Sequence, residues 1–141
     1  MIGKTIEEIK VGDKAEFSKT VSETDVYLFA GVTGDFNPAH INEVYAAKTF
    51  FKTRIVHGML LAGLISTVVG NQLPGYGTIY VRQEMTFRLP VCIGDTITAQ
   101  VEVTEILLEK KQAKLKTTCI NQEGNKVLEG EAIVSPPRLP K

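Results

Sequence analysis

The chain predicts an α+β fold in which five antiparallel strands wrap around one long apolar helix. Three observations carry that prediction. The run 58–71 contains no charged residue, and a helix without charge on any side is buried on most of its circumference. Everything after Pro74-Gly75 alternates apolar and polar residues with the period of half-buried strands. A further strand pattern precedes the helical block, at 15–21. One strand, a helical block and then four strands in a meander suit a layered α+β architecture. No repeat, linker or low-complexity segment interrupts the 141 residues, so 1–141 is expected to form one domain.

Each element has its own local cause. Gly12-Asp13 is a turn, after which Ala15, Phe17 and Val21 alternate with Glu16, Ser18 and Thr20. Ser22 and Asp25 form an S-x-x-D start signal for a helix that buries Val26, Phe29 and Ala30, and Gly34 ends that helix. Residues 34–39 cannot continue it: Asn37 before Pro38 is biased toward extended backbone, and Pro38 presets a turn. Asn42 is placed to cap a short helix through Ala46 and Ala47. In 58–71, Leu60, Leu61, Leu64, Ile65, Val68 and Val69 make one stripe. Met59, Ala62, Gly63, Ser66, Thr67 and Gly70 make a small-residue face that is expected to lie close to the sheet. In 79–89 the odd positions Ile79, Val81, Met85, Phe87 and Leu89 are apolar. Ile97, Ala99, Val101 and Val103 continue the alternation beyond Gly94-Asp95, followed by Ala113, Leu115 and Cys119. A hairpin signal at 122–125 precedes the last strand, 127–134, which Pro136-Pro137 stops.

The totals exclude several functions. Apolar residues at 43% and charged residues at 23% are those of a soluble globular protein. Sixteen basic and sixteen acidic residues give a net charge of zero, which argues against a broad nucleic-acid surface. Cys92 and Cys119 are too far apart in sequence for a CxxC site or a disulfide framework. The first thirteen residues do not read as a signal peptide, and the apolar run 59–69 is too short to span a bilayer. A cytoplasmic protein without membrane partners is expected.

The chemistry-bearing residues concentrate in 29–58. The only two histidines, His40 and His57, both lie there, and Asp35 precedes His40 across a Gly/Asn/Pro loop. Histidine suits proton transfer near neutral pH, so Asp35 and His40 could share one water. The plainer reading is an Asx turn at Asp35 with His40 partly exposed. His57-Gly58 stands at the start of the apolar helix, where unpaired N–H groups and the helix dipole favour a negative oxygen. Gly58 has no side chain to block a close approach, although tight packing alone would also explain it. Asp35, His40 and His57 are the weak alternative of a metal site, without HxH or HExxH support. Ser66 has no nucleophile-elbow context, and a back-bonded helix hydroxyl is its plainer role.

These residues resemble a known family. The stretch F-A-G-V-T-G-D-F-N-P-A-H-I-N-E-V-Y-A at 29–46 is similar to the hydratase motif of the MaoC-like (R)-specific enoyl-CoA hydratases. I-V-H-G-M-L-L-A-G-L-I-S at 55–66 resembles that family's second signature, and L-P-G-Y-G-T-I-Y and F-R-L-P-V-x-x-G-D extend the likeness over nearly the whole chain. Ala39 departs from the larger aliphatic residue usual before the histidine, and Asn42 from a frequent aspartate. The resemblance implies a hot-dog fold and a homodimer or higher homo-oligomer with its sheets joined edge to edge. It implies an acyl-CoA substrate, no metal and no other cofactor. It implies that Asp35 and His40 are the catalytic pair and that the Gly58 N–H is the oxyanion donor, with supporting roles for Asn37 and Ser66. Leu61, Ile65, Val69 and Ile133 are then candidates for the wall of an acyl tunnel, and Lys48, Lys52, Arg54, Arg82 and Arg88 are candidate contacts for the CoA phosphates, with solvated surface charge the plainer role of each. An acyl-carrier-protein dehydratase, a hot-dog thioesterase and a non-catalytic acyl-binding module are the rival readings.

Overall fold

In the computed structural model, which describes residues 1–140, a single five-stranded antiparallel sheet curls around one helix. In chain order come β1 (Lys14–Thr20), α1 (Glu23–Thr33), α2 (Pro38–Ile41), α3 (Glu43–Ala46) and α4 (Gly58–Asn71). The strands β2 (Ile79–Phe87), β3 (Thr96–Leu107), β4 (Gln112–Ile120) and β5 (Lys126–Ser135) follow. The bounds of α4 match the charge-free run, because both ends are set by local sequence.

The sheet order is β1-β3-β4-β5-β2, so the expected four-strand meander is corrected to three. β1 occupies the edge of β3 that β2 would have taken. Its hydroxyls bond across that pair, Ser18 to Thr98 and Thr20 to Thr96, each at 2.7 Å. β2 therefore crosses to the far edge and pairs with β5. The inward faces of β3 and β4 behave as the alternation predicts: Ile97, Ala99, Val101, Val103, Ala113, Leu115 and Cys119 are all buried.

Three expectations about facing are overturned. The i, i+4 stripe of α4, not its small-residue face, packs on the sheet: Ile65 and Val68 are fully buried, whereas Met59, Gly63 and Ser66 are exposed. The larger side chains bury more apolar area, which outweighs the closer approach that small residues permit. In β2 a bulge between Tyr80 and Arg82 shifts the register, so Tyr80 turns inward while Ile79 and Val81 remain 65% and 50% exposed. In β5, Ala132 and Val134 face the core; Ile133 sits between them on the opposite face, opposite Lys114 and Arg82, and cannot line a cavity beside α4. The N-terminal segment, which carries no strand or helix pattern, adds Ile6 and Ile9 to the core and is tied down by Lys4 N–H to Pro74 O at 2.8 Å.

Burial makes the fold sensitive to alkali. It pushes the Cys119 thiol from 9.0 up to about 12, and the Tyr80 phenol from 10.0 up to about 12. Above pH 9 the unfolded chain releases protons that the native state retains, so stability is fully present below that pH and falls as pH rises toward 12. Tyr80→Phe removes one of the two groups and is expected to flatten the loss above pH 10 in urea titrations. An alkaline slope identical to that of the parent would refute the assignment to Tyr80.

Candidate active site

The loop between α1 and α2 is held by side chains that cap backbone N–H groups at short range. Ser22 and Asp25 complete a reciprocal capping box at the start of α1, with Ser22 N–H to Asp25 Oδ2 at 2.9 Å and Asp25 N–H to Ser22 Oγ at 3.1 Å. Gly34 closes α1 in the left-handed region, φ 83°, as expected of a helix-ending glycine. Thr33 Oγ1 then accepts the Asp35 N–H at 3.2 Å, Asp35 Oδ1 accepts the Asn37 N–H at 3.3 Å, and Asn37 Oδ1 accepts the Ala39 N–H at 3.0 Å. Pro38 does more than preset a turn: it opens α2, where the missing N–H costs nothing. The Asx turn and the convergence of Asp35 with His40 therefore coexist, because the turn uses one carboxylate oxygen.

The imidazoles are oriented by backbone carbonyls. His40 Nδ1 lies 2.7 Å from Ile55 O. A carbonyl only accepts, so in the neutral ring the proton sits on Nδ1 and the Nε2 lone pair is free. His57 Nε2 lies 3.0 Å from Asp35 O and by the same reasoning donates to it. His57 is buried, its ring stacks on His40 with centroids 3.9 Å apart, and the Phe29 ring packs against it at a tilt, with centroids 4.8 Å apart. His57 thus fixes the backbone of Asp35 and the ring of His40 together.

At the start of α4 His57 makes no side-chain cap, and among the described residues neither the Gly58 nor the Met59 N–H meets a protein acceptor. Those donors and the helix dipole make this terminus attractive to a negative oxygen. Gly58 and His40 line one cavity of about 480 Å³, whose walls include Phe51, Leu61, Phe87 and Val91. A Cβ at Gly58 would lie 2.6 Å from the Phe87 ring, so glycine is required for the ring to sit there.

The structure brings Asp35, His40 and His57 together, each offering a ligand atom within 4.8 Å of the others, and sets Gly58 on the same cavity as His40. Asn37 serves as a cap within the loop. Ser66 is not brought to this cluster: it lies exposed roughly two turns up α4, about 12 Å along the axis from Gly58. Thr67, not Ser66, back-bonds to the Gly63 carbonyl, at 3.0 Å. Of the expected tunnel residues Leu61 lines the cavity, while Ile65 and Val69 are sealed in the core. Of the five cations, Arg88 lines the cavity, Arg82 lies 3.8 Å from Glu84, Arg54 is enclosed by acidic partners, and Lys48 and Lys52 are exposed. Sequence reasoning missed the Ile55 carbonyl, which as backbone has no residue signature. It also missed Phe87 as a wall, whose place depends on the pairing of β2.

A curled antiparallel sheet around a central helix, with an Asp/His pair beside that helix's N-terminus, defines a hot-dog protein with a candidate acid/base site. The model of the MaoC-like domain matches residues 7–125, and the chain belongs to that family. The (R)-specific enoyl-CoA hydratase of Rhodospirillum rubrum is 56% identical over 131 residues, covering 93% of this chain and 90% of the relative. The (R)-specific enoyl-CoA hydratase of Aeromonas caviae is 46% identical over 131 residues, covering 93% and 98%. The structure of unliganded R-hydratase PhaJ1 from Pseudomonas aeruginosa superposes with a TM-score of 0.91 at 41% identity, covering 99% of this chain and 95% of that one.

Proposed function

We propose that the protein hydrates trans-2-enoyl-CoA thioesters to (R)-3-hydroxyacyl-CoA and catalyses the reverse dehydration. One observation carries the reading: a cavity with mostly apolar walls is lined both by the His40 ring and by Gly58, whose N–H is unpaired, with Asp35 beside them. That is an acid/base pair on one side of a substrate and an oxyanion site on the other. The relatives named for this reaction support it.

The chemistry then follows from the geometry. Asp35 and the free Nε2 of His40 hold a water, and the pair takes one of its protons as the oxygen attacks C3. Electron density moves through the alkene onto the thioester oxygen. The Gly58 N–H and the start of α4 stabilise that charge where it develops, which lowers the barrier. The pair returns the proton to C2, so the site ends as it began. The thioester carbonyl already activates the alkene, so the step calls for neither a metal nor a redox cofactor.

We read the working unit as a homodimer or higher homo-oligomer. Ile79, Val81 and Phe87 leave an apolar, unpaired edge on β2, which a second sheet would cover. A cytoplasmic location suits the two free cysteines, and among the described residues no helix is long and apolar enough to cross a membrane. The decisive assay follows enoyl absorbance over enoyl-CoAs of increasing length, with the product's chirality determined. Bleaching with an (R)-3-hydroxy product is expected. Release of free thiol would indicate a thioesterase, and turnover confined to carrier-protein thioesters would indicate the carrier-protein dehydratase.

A further inference from the structure

We propose that Arg54 is a positioning residue for the acid/base pair, pinning the strap 54–57 to the helices on either side so that the Ile55 carbonyl holds His40 in one tautomer. The side chain of Arg54 is 16% exposed, although those of its partners Glu23 and Glu43 are about half exposed at 52% and 51%. Its Nη2 donates to Glu23 Oε2 at 2.5 Å, its Nη1 to the Tyr27 hydroxyl at 2.8 Å, and its Nε to Glu43 Oε2 at 3.2 Å. Glu23 and Tyr27 belong to α1, which leads into Asp35; Glu43 belongs to α3, which follows His40. One guanidinium therefore ties together the two helices that flank the acid/base loop. Glu43 also accepts the Thr53 hydroxyl at 2.7 Å and the Arg54 N–H at 3.2 Å, and these bonds hold its carboxyl below the usual range.

The consequence falls on the next residue. Ile55 N–H donates to Ala39 O at 3.1 Å, and Ile55 O accepts from His40 Nδ1 at 2.7 Å. The strap is anchored on its other side by Val56 N–H to Val91 O at 2.7 Å. The ring's tautomer thus depends on where the Ile55–Val56 peptide lies, and Arg54 is the charged side chain one residue before it. Partly exposed ion pairs contribute little to stability, so the expected effect of Arg54 is on geometry. Lysine cannot reproduce it, because three partners in different directions require the planar fork.

This inference rests on reading His40 as the base, so its test has a readout besides activity. Protein labelled with ¹⁵N-histidine is compared as parent, Arg54→Met and Arg54→Lys, at a pH where the ring is neutral. The parent is expected to show His40 protonated on Nδ1, Arg54→Met a mixture of tautomers, and Arg54→Lys an intermediate spectrum. Hydration of crotonyl-CoA is expected to lose about 10- to 100-fold in kcat in Arg54→Met with KM little changed, since small misplacements of reacting groups cost on that order. An unchanged His40 spectrum overturns the proposal, as does a rise in KM with parental kcat, which would make Arg54 a substrate contact. If Arg54→Met fails to fold, the double variant Glu23→Gln/Tyr27→Phe removes only the α1 partners. It should produce a smaller shift in the same direction, and none would overturn the proposal. Inactivity of the parent would sink the hydratase reading but leave the tautomer comparison intact.

Discussion

Asp35→Asn and His40→Gln are each expected to fold like the parent and to lose about a hundredfold to ten-thousandfold of hydratase kcat, the range for removing one participant in general acid/base catalysis. Neither side chain belongs to the core. Asparagine retains an oxygen for the Asn37 N–H, so the loop's Asx turn survives while the charge is lost. Glutamine offers an amide N–H to the Ile55 carbonyl in place of Nδ1, but it has no nitrogen lone pair to accept a proton. Thermal melts near those of the parent, with turnover of crotonyl-CoA nearly abolished, would place the loss in the chemistry. If, as proposed, both groups act on one water, the double variant should be little worse than the more impaired single variant. Near-parental turnover by either purified single variant would remove that residue from the mechanism.

Much of this fold was legible because its signals are local. The charge-free run specified α4 from Gly58 to Asn71, and Ser22 with Asp25 specified the start of α1. Gly34 marked the end of that helix, and the alternation in 97–103 identified the inward face of β3. The arrangement of elements was not local. The neighbour of β2 was decided by β1 taking the edge of β3, a contact between segments some eighty positions apart in sequence. The bulge that turns Tyr80 inward left no mark on the alternation of apolar residues. At the site, Asp35, His40 and Gly58 stood out by residue type. The backbone carbonyls of Ile55 and Asp35 that orient the two imidazoles did not, since any residue would supply them. Ser66 was legible as a motif position, but its direction follows from which face of α4 the sheet buries.

Gly58 admits a sharper test than truncation, because proline and alanine separate its two possible contributions. Alanine keeps the N–H but adds a Cβ 2.6 Å from Phe87 Cε1 and 2.9 Å from Cδ1. Phe87 is half exposed on an edge strand, so its ring can swing aside, and alanine is the better helix former. Gly58→Ala should therefore fold at least as well as the parent and lose activity through a narrowed cavity, a loss that Phe87→Ala in the same chain should partly restore. Proline adds comparable bulk and also deletes the N–H. Gly58 is the first residue of α4, where proline is tolerated, and His57 already has φ −56° and ψ 129°, which suits the residue before a proline. Gly58→Pro should thus retain the fold and fall a further hundredfold or so below Gly58→Ala in kcat, on the order expected for losing one oxyanion donor. Equal activity of the proline and alanine variants, both folded, would show that Gly58 provides only space and that the developing charge is held elsewhere.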